Sequence, residues 1–465
     1  MARVRLRVEI QTRSGEWLTI TGDVRTREDA QIVRGRADEG AQVDPSSLSF
    51  QLNNRHGRYS PGNPRSPLFR RIGKNTPVRI GVETEAGTRW RFAGEVSSWP
   101  VRWDLSGNDV WVEIEAHGIL RRLGQSAANL PDVYRRFLVA HRPDAYWPLT
   151  DGETSRQGSP VVGQQPMRTY APGTGATAIT YGADWAEGEL GPWLDPVARL
   201  PEEERGRLAA NVRPAPSSRS WAVEFARRGG GFDSLAIAVQ GSGTNADPYR
   251  TWSIGWEIST SSMFLSIQTT TEDNSSISMV EPDFSTPRAF DDEAHVYRFE
   301  LSSTNSSSTY RLYMDGATIA SGTWSAPALP VRTLTYHWWV PDDDVSSPAE
   351  LGHVSVWDTN SSSYPTAQES HAAFQGFAGE RAAERIIRVC DEADIPLDMV
   401  GDPEDSLPMG PQYPDSVLDL LYSAQAVDGG VLYESRTRAG LAYRTLRSKY
   451  NRGATLRTNQ GGMSS

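Results

Sequence analysis

From Arg3 onward the apolar residues occupy every second position: Val4, Leu6, Val8 and Ile10 alternate with Arg5, Arg7, Glu9 and Gln11. Successive side chains of an extended chain point to opposite faces, so this period predicts a strand with one face buried and one wet. The pattern returns at Leu48, Phe50 and Leu52, at Val78, Ile80 and Val82, at Trp90 and Phe92, and at Val110, Val112 and Ile114. Glu85, Ala86 and Gly87 lie between two of these runs and make 78–92 a hairpin. Several one-sided strands at this spacing predict a barrel or sandwich over residues 1–128.

Within that region, residues 53–67 carry Pro61, Pro64 and Pro67 and cannot run as a central strand or a helix. Long ordered loops of compact domains are often interaction elements, so Asn53, Asn54, Arg55, His56 and Tyr59 form a candidate contact arm. His56, next to Asn53, Asn54 and Gly57, reads as a turn residue and not a catalytic one.

Other strands follow at Trp221, Val223 and Phe225, at Leu235, Ile237 and Val239, at Trp252, Ile254 and Trp256, and at Tyr310, Leu312 and Met314. Asp315-Gly316 comes directly after the last of these and predicts a tight hairpin. At 377–395 the period changes to that of a helix, with Ala382, Ile386, Val389 and Cys390 on one face. A second helix is expected over 415–427, ending at Gly429 and Gly430, followed by a hairpin of 431–433 with 441–443. The class is therefore mainly β with a small α/β part, divided as 1–128, 129–376 and 377–450, with a frayed tail at 451–465.

With 465 residues the chain is too long for one core, and its 15 Trp and 16 Tyr argue against disorder. A net charge of −11 argues against nucleic acid as a partner. The Arg-rich first part is better read as a surface facing an acidic neighbour. Cys390 is the single cysteine, so no intrachain disulfide can form, which suits assembly in a cytoplasm. No stretch approaches the roughly 20 apolar residues of a membrane span, and no secretion signal opens the chain.

Three phrases of the outer segments resemble tail-tip hub proteins, the minor tail proteins of actinobacterial siphophages: ITGDVRT (20–26), DPSSLSFQLNNRHGRYSPGNPRSPLF (44–69), and VRIGVE followed by RFAGEVSSWPVRW. ERIIRVCDEADIP and SVLDLLYSAQAVDGGVLYESRTRAGLAYRTLRSKYN resemble the later part of the same hubs. Between them, FLVAHRPDAYWPLTDG (137–152), YRLYMDGATIASG (310–322) and LGHVSVWDT (351–359) resemble a laminin-G or concanavalin-like lectin domain. The resemblance implies an N-terminal hub β-barrel, an inserted lectin-like β-sandwich and a C-terminal helix-hairpin hub segment. It further implies a homotrimer at the virion tail tip, partners in the distal tail or tail tube protein and in other minor tail or fibre proteins, and contact with a host cell-surface glycan. Such hubs usually continue into a second barrel, for which 451–465 is too short.

Candidate ligand residues are few. Trp338, Trp339 and Trp357 could stack on sugars, although at least one of two adjacent strand residues must face the core. Asp342, Asp343 and Asp344 raise calcium as the one cofactor, against the reading of a solvated turn. No nucleophile motif, zinc spacing or assignable carboxylate pair occurs, so no catalytic residue is nominated and no enzyme is expected. The alternatives are a depolymerase of host cell-wall glycan and a lectin-type adhesin with no phage role.

Overall fold

The computed structural model describes residues 5–450 except 26–27, 37–41, 126–127, 171–178, 186–192, 202–205, 214–215, 230–231, 240–243, 245–247, 258–259, 286, 292 and 340–348. The side chains of Phe232, Trp339 and residues 281–285 and 287 are likewise outside the description. Two compact units emerge: Met1–Leu130 with Gly379–Met409 and Asp415–Ser465, and Pro131–Ala378 with Gly410–Pro414. The second unit takes the five residues 410–414 from within the C-terminal segment. There, Gln412 N–H donates to Gly376 O at 2.8 Å and Tyr413 meets Trp193 edge to face.

In the first unit one antiparallel sheet runs in the order Trp17–Thr19, Arg5–Gln11, Thr76–Thr84, Gly87–Ser98, Val110–His117, Asp44–Asn53, Gln31–Gly35. The alternating residues read from the sequence make its core: Val8, Ile10, Leu48, Phe50, Leu52, Val78, Ile80, Phe92, Val112 and Ile114 are buried together. The sheet curls shut because one segment serves both ends. Ile20 N–H donates to Val8 O, and four residues later Val24 bridges Leu52. Gly94 allows the tight crossing this needs, since a Cβ there would lie 2.3 Å from His117 O.

Helices Ile119–Gly124, Ala382–Glu392 and Val417–Asp428 share a second core with a three-stranded sheet. In that sheet Val431–Glu434 pairs antiparallel with Leu441–Arg444, as expected, and Leu397–Val400 adds in parallel, which the sequence reading lacks. The helix expected over 377–395 is shorter at both ends. Gly379, Glu380 and Ala382 are already engaged in backbone bonds with Leu407 and Met409, and Asp394 turns left-handed (φ 56°) before Pro396 is reached. Ser416 caps the next helix through Asp419 N–H, and Gly429 ends it at φ 70°.

The second unit is a sandwich of two eight-stranded sheets. The one containing Trp221–Arg228, His295–Ser303, Ser308–Met314 and Glu350–Asp358 carries a second apolar layer on its outer face, where Tyr134, Leu138, Ala373 and Phe374 of helices Val133–Ala140 and Ala367–Phe374 meet Ala222, Val296 and Trp357. The Asp315-Gly316 hairpin forms with both residues at positive φ (51° and 76°). The two lectin-like phrases lie side by side: Tyr146 pairs with Ser355 across the sheet.

Candidate functional site

The predicted aromatic residues do not assemble into a site. Trp357 is 1% exposed, packs in the apolar layer under the helices and donates Nε1–H to Ser355 Oγ at 2.8 Å, so it has no face to offer a sugar. Trp338, at 5% exposure, belongs to the core between the sheets, where its ring closes over Gly206. Both Trp assignments are corrected for the same reason: burial of a large apolar ring outweighs its availability as a surface platform. The Trp339 side chain and Asp342, Asp343 and Asp344 lie outside the described residues.

The contact arm is corrected in part. Tyr59 is fully buried, stacks on Trp99 with centroids 6.2 Å apart, and donates its hydroxyl to Asp23 at 2.5 Å. Burial and the adjacent Asp23 carboxylate push its pKa well up. Asn54 is buried as well, its Oδ1 accepting Tyr59 N–H at 2.8 Å and its Nδ2 donating to Ser60. Turns held by side chains fold this proline-rich stretch onto the barrel, leaving Asn53, Arg55 and His56 exposed. Large apolar side chains exposed in this unit include Trp103, at the end of Val101–Trp103, and Leu105 just beyond it.

Two buried polar networks went unread. Asp132 caps the helix Val133–Ala140, and its carboxylate accepts the N–H groups of Arg135 (2.5 Å) and Asp195 (2.6 Å). Burial pushes its pKa up to about 6 against those bonds. His353 sits 3.5 Å from it at φ 53°, with Nδ1 2.8 Å from Tyr146 OH; burial pulls its pKa down to about 4 and keeps it neutral. Nearby, Arg298 pairs with Glu224 at 2.5 Å, and Glu224 also accepts Tyr134 OH at 2.8 Å. These groups tie helix to sheet with no surface access, so they are structural. Across the core, Arg227 is bound by both oxygens of Asp233 at 2.6 Å and lies 4.5 Å from the Trp256 ring.

What remains is the outer face of the other sheet, which neither sandwich core cluster occupies. Its strands align in rungs. One reads Tyr170, Arg207, His337, Ser234, Gly255, Phe264. The next reads Arg168, Ala209, Thr335, Ala236, Ser253, Ser266, Met279, and a third Asn211, Thr333, Ala238, Thr251, Gln268, Ile277. All point away from the core because Leu208, Tyr336, Leu235, Ile254 and Leu265, one position along, point into it.

Ser234, Ala236, Ala238, Thr251, Ser253 and Gly255 are small, which makes the two middle strands the low part of this face, its trough. One wall is Tyr170, Arg207 and His337; on the other side Phe264 lies over Gly255, where a Cβ would meet its ring at 2.1 Å. The Arg207 guanidinium is 4.9 Å from the Tyr170 centroid, which holds it in place. Partial burial and the Arg207 charge hold the His337 pKa below the ordinary histidine value. None of the three rungs contains a carboxylate; the first in line, Glu257, stands one rung beyond Gly255. The signal for this face is legible in the sequence as small residues alternating with large ones, LAIAV and SIGW.

Among the described residues no group of three His, Cys, Asp or Glu is placed to hold a metal, and no helix is long and apolar enough to cross a membrane. No family model and no curated protein matches the chain. Solved structures that resemble it include the CBM2 module of the evolved Dit of Lactobacillus casei BL23 phage J-1, over 46% of this chain and 94% of that one, at 11% identity and TM-score 0.30. Another is the binding domain of botulinum neurotoxin DC in complex with rat synaptotagmin II, over 51% and 53%, at 11% and 0.33. A Bacillus licheniformis β-glucanase matches over 46% and 98%, at 13% and 0.28. The chain thus spans about half of the toxin domain. At these identities and TM-scores, function has to be argued from this chain's own residues.

Proposed function

We propose that the chain is a structural subunit of a phage tail tip whose sandwich binds glycan on the host surface, and that it is not an enzyme. The observation that carries the reading is the make-up of the first unit. Strands from before residue 118 and helices from after residue 381 share one body, joined where Glu434 accepts the N–H groups of Ser46 and Leu120 at 2.8 and 2.7 Å. The whole sandwich is inserted between those pieces, an arrangement suited to a hub that displays a binding domain. The resemblance of the outer segments to tail-tip hubs adds a homotrimer, seated on the distal tail or tube protein and holding fibre proteins.

The trough supports the binding half. Ser234, Ser253, Thr251, Thr333 and Thr335 share one outward face with Phe264 and Tyr170, the mixture of hydroxyls and rings that a sugar engages. A retaining or inverting glycosidase needs two carboxylates flanking the bond, and these rungs offer none.

Mass measurement in solution, imaging of the chain in an assembled particle, and incubation with host wall glycans test the proposal. The expected results are a trimer, density at the tail tip, and binding without release of reducing ends. Bond cleavage, or a monomer absent from the particle, overturns it.

A further inference from the structure

We propose that the trough selects an anionic glycan, a pyranose polymer bearing carboxylates, with Arg207 and Arg168 as the acid-binding groups. This deepens the glycan-binding reading and rests on it.

The chain as a whole carries a charge of −11, so three adjacent rungs with cations and no carboxylate are a local choice and not a sample of the average surface. Arg207 and Arg168 are exposed on adjacent rungs of neighbouring strands, and His337 stands beside Arg207. Among the described residues neither arginine has a carboxylate partner, in contrast to Arg25, Arg79, Arg227 and Arg298, each of which pairs with an acid. An unpaired guanidinium held over a tyrosine ring keeps its planar fork free for a carboxylate, at lower ordering cost than a mobile side chain.

The rest of the rung decides between anions. Arg207 and Phe264 are four strand spacings apart, roughly 19 Å at about 4.8 Å each. That span fits an oligosaccharide lying across the strands, with an apolar sugar face on the Phe264 ring and hydroxyls over Ser234 and Ser253. A polyol phosphate chain carries the charge but no ring to stack. The acidic pyranose therefore accounts for both ends of the rung.

The test uses the full chain and three probes: oligogalacturonate, its carboxyl-reduced neutral counterpart, and a polyglycerol phosphate. Calorimetry is expected to show oligogalacturonate bound at least tenfold more tightly than the neutral polymer. Arg207→Gln should weaken it about tenfold, and so should Arg168→Gln. Ala236→Trp, which fills the trough from an outward position, should abolish it, with the thermal transition of each variant checking the fold. Equal binding of the neutral polymer, unmoved by Arg207→Gln, overturns the anionic proposal and leaves glycan binding standing. Preference for polyglycerol phosphate overturns the carboxylate assignment. Failure of all three probes, or binding indifferent to Ala236→Trp, removes the trough as a site.

Discussion

Glu434 accepts the backbone N–H of Ser46 at 2.8 Å across 388 residues of sequence. Its second oxygen takes the N–H of Leu120 at 2.7 Å, in the first turn of the helix Ile119–Gly124, and the carboxylate fills the space where Gly118 has no side chain. One buried acid thereby satisfies two donors that packing would otherwise strand.

Removing it should be costly. Glu434→Ala leaves two buried N–H groups unpaired and is expected to destabilise the first unit by about 2–5 kcal/mol, with Glu434→Gln intermediate. Gly118→Ala should cost about 1–3 kcal/mol through overpacking, because its Cβ would stand 1.9 Å from Glu434 Oε2. Urea denaturation checks both; unchanged midpoints would show that the joint contributes nothing.

The Asp132 and His353 pair should make stability depend on pH in opposite directions. Asp132, lifted from 3.8 to about 6, binds its proton more tightly when folded, so its penalty is full above pH 6 and relieved as pH falls to about 4. His353, lowered from 6.5 to about 4, contributes stability that is present above pH 6.5 and lost as pH falls through 4. The two nearly cancel in the native chain. His353→Asn, tolerant of the positive φ, removes the second effect. Relative to the native chain, the variant should gain about 3 kcal/mol between pH 6.5 and 4. A difference that does not change with pH would refute this account.

His295 has the reverse sign. Burial opposes its charge, but Asp315 at 2.7 Å and Asp291 at 2.8 Å together raise its pKa above 6.5, while Arg288 and His371 also face Asp315. The stability this contributes is fully present below pH 6.5 and lost as pH rises through the folded value. His295→Gln should therefore be most damaging near pH 6 and progressively less so at higher pH, in thermal melts at a series of pH values. A penalty constant from pH 6 to 9 would count against a charged His295.

Tyr59 tests whether the proline-rich stretch is core or arm. Tyr59→Phe loses the bond to Asp23 and should cost about 1 kcal/mol, whereas Tyr59→Ala empties a buried site beside Trp99 and should cost about 3–5 kcal/mol. Thermal unfolding of the two variants measures the contrast. A neutral Tyr59→Ala would restore the arm.

The strands of the barrel were legible because alternation is a local property: Val8 and Ile10, or Leu48 and Phe50, declare an inward face whatever their neighbours are. The Asp315-Gly316 turn was legible for a similar reason, since its two positive φ angles restrict the residue types. Trp357 was misread because both sides of its sheet are covered, and Trp338 because a strand's alternation does not by itself tell which face of the sheet is the core face. Tyr59 was misread because a proline-rich composition excludes a helix or strand but not a packed loop.

By itself the sequence determined many of the segments that extend, the Asp315-Gly316 turn, the two C-terminal helices and that the chain is mainly β, but not the strands Gly206–Asn211 and Leu397–Val400 or the helices of the sandwich unit. Only the tertiary structure decided which strands are neighbours. Strand Val331–Trp339 slots between Gly206–Asn211 and Phe232–Val239, bringing Arg207, His337 and Ser234 into one rung from distant parts of the chain. Local periodicity fixes the direction of a side chain, whereas its neighbours depend on long-range pairing that no single segment encodes.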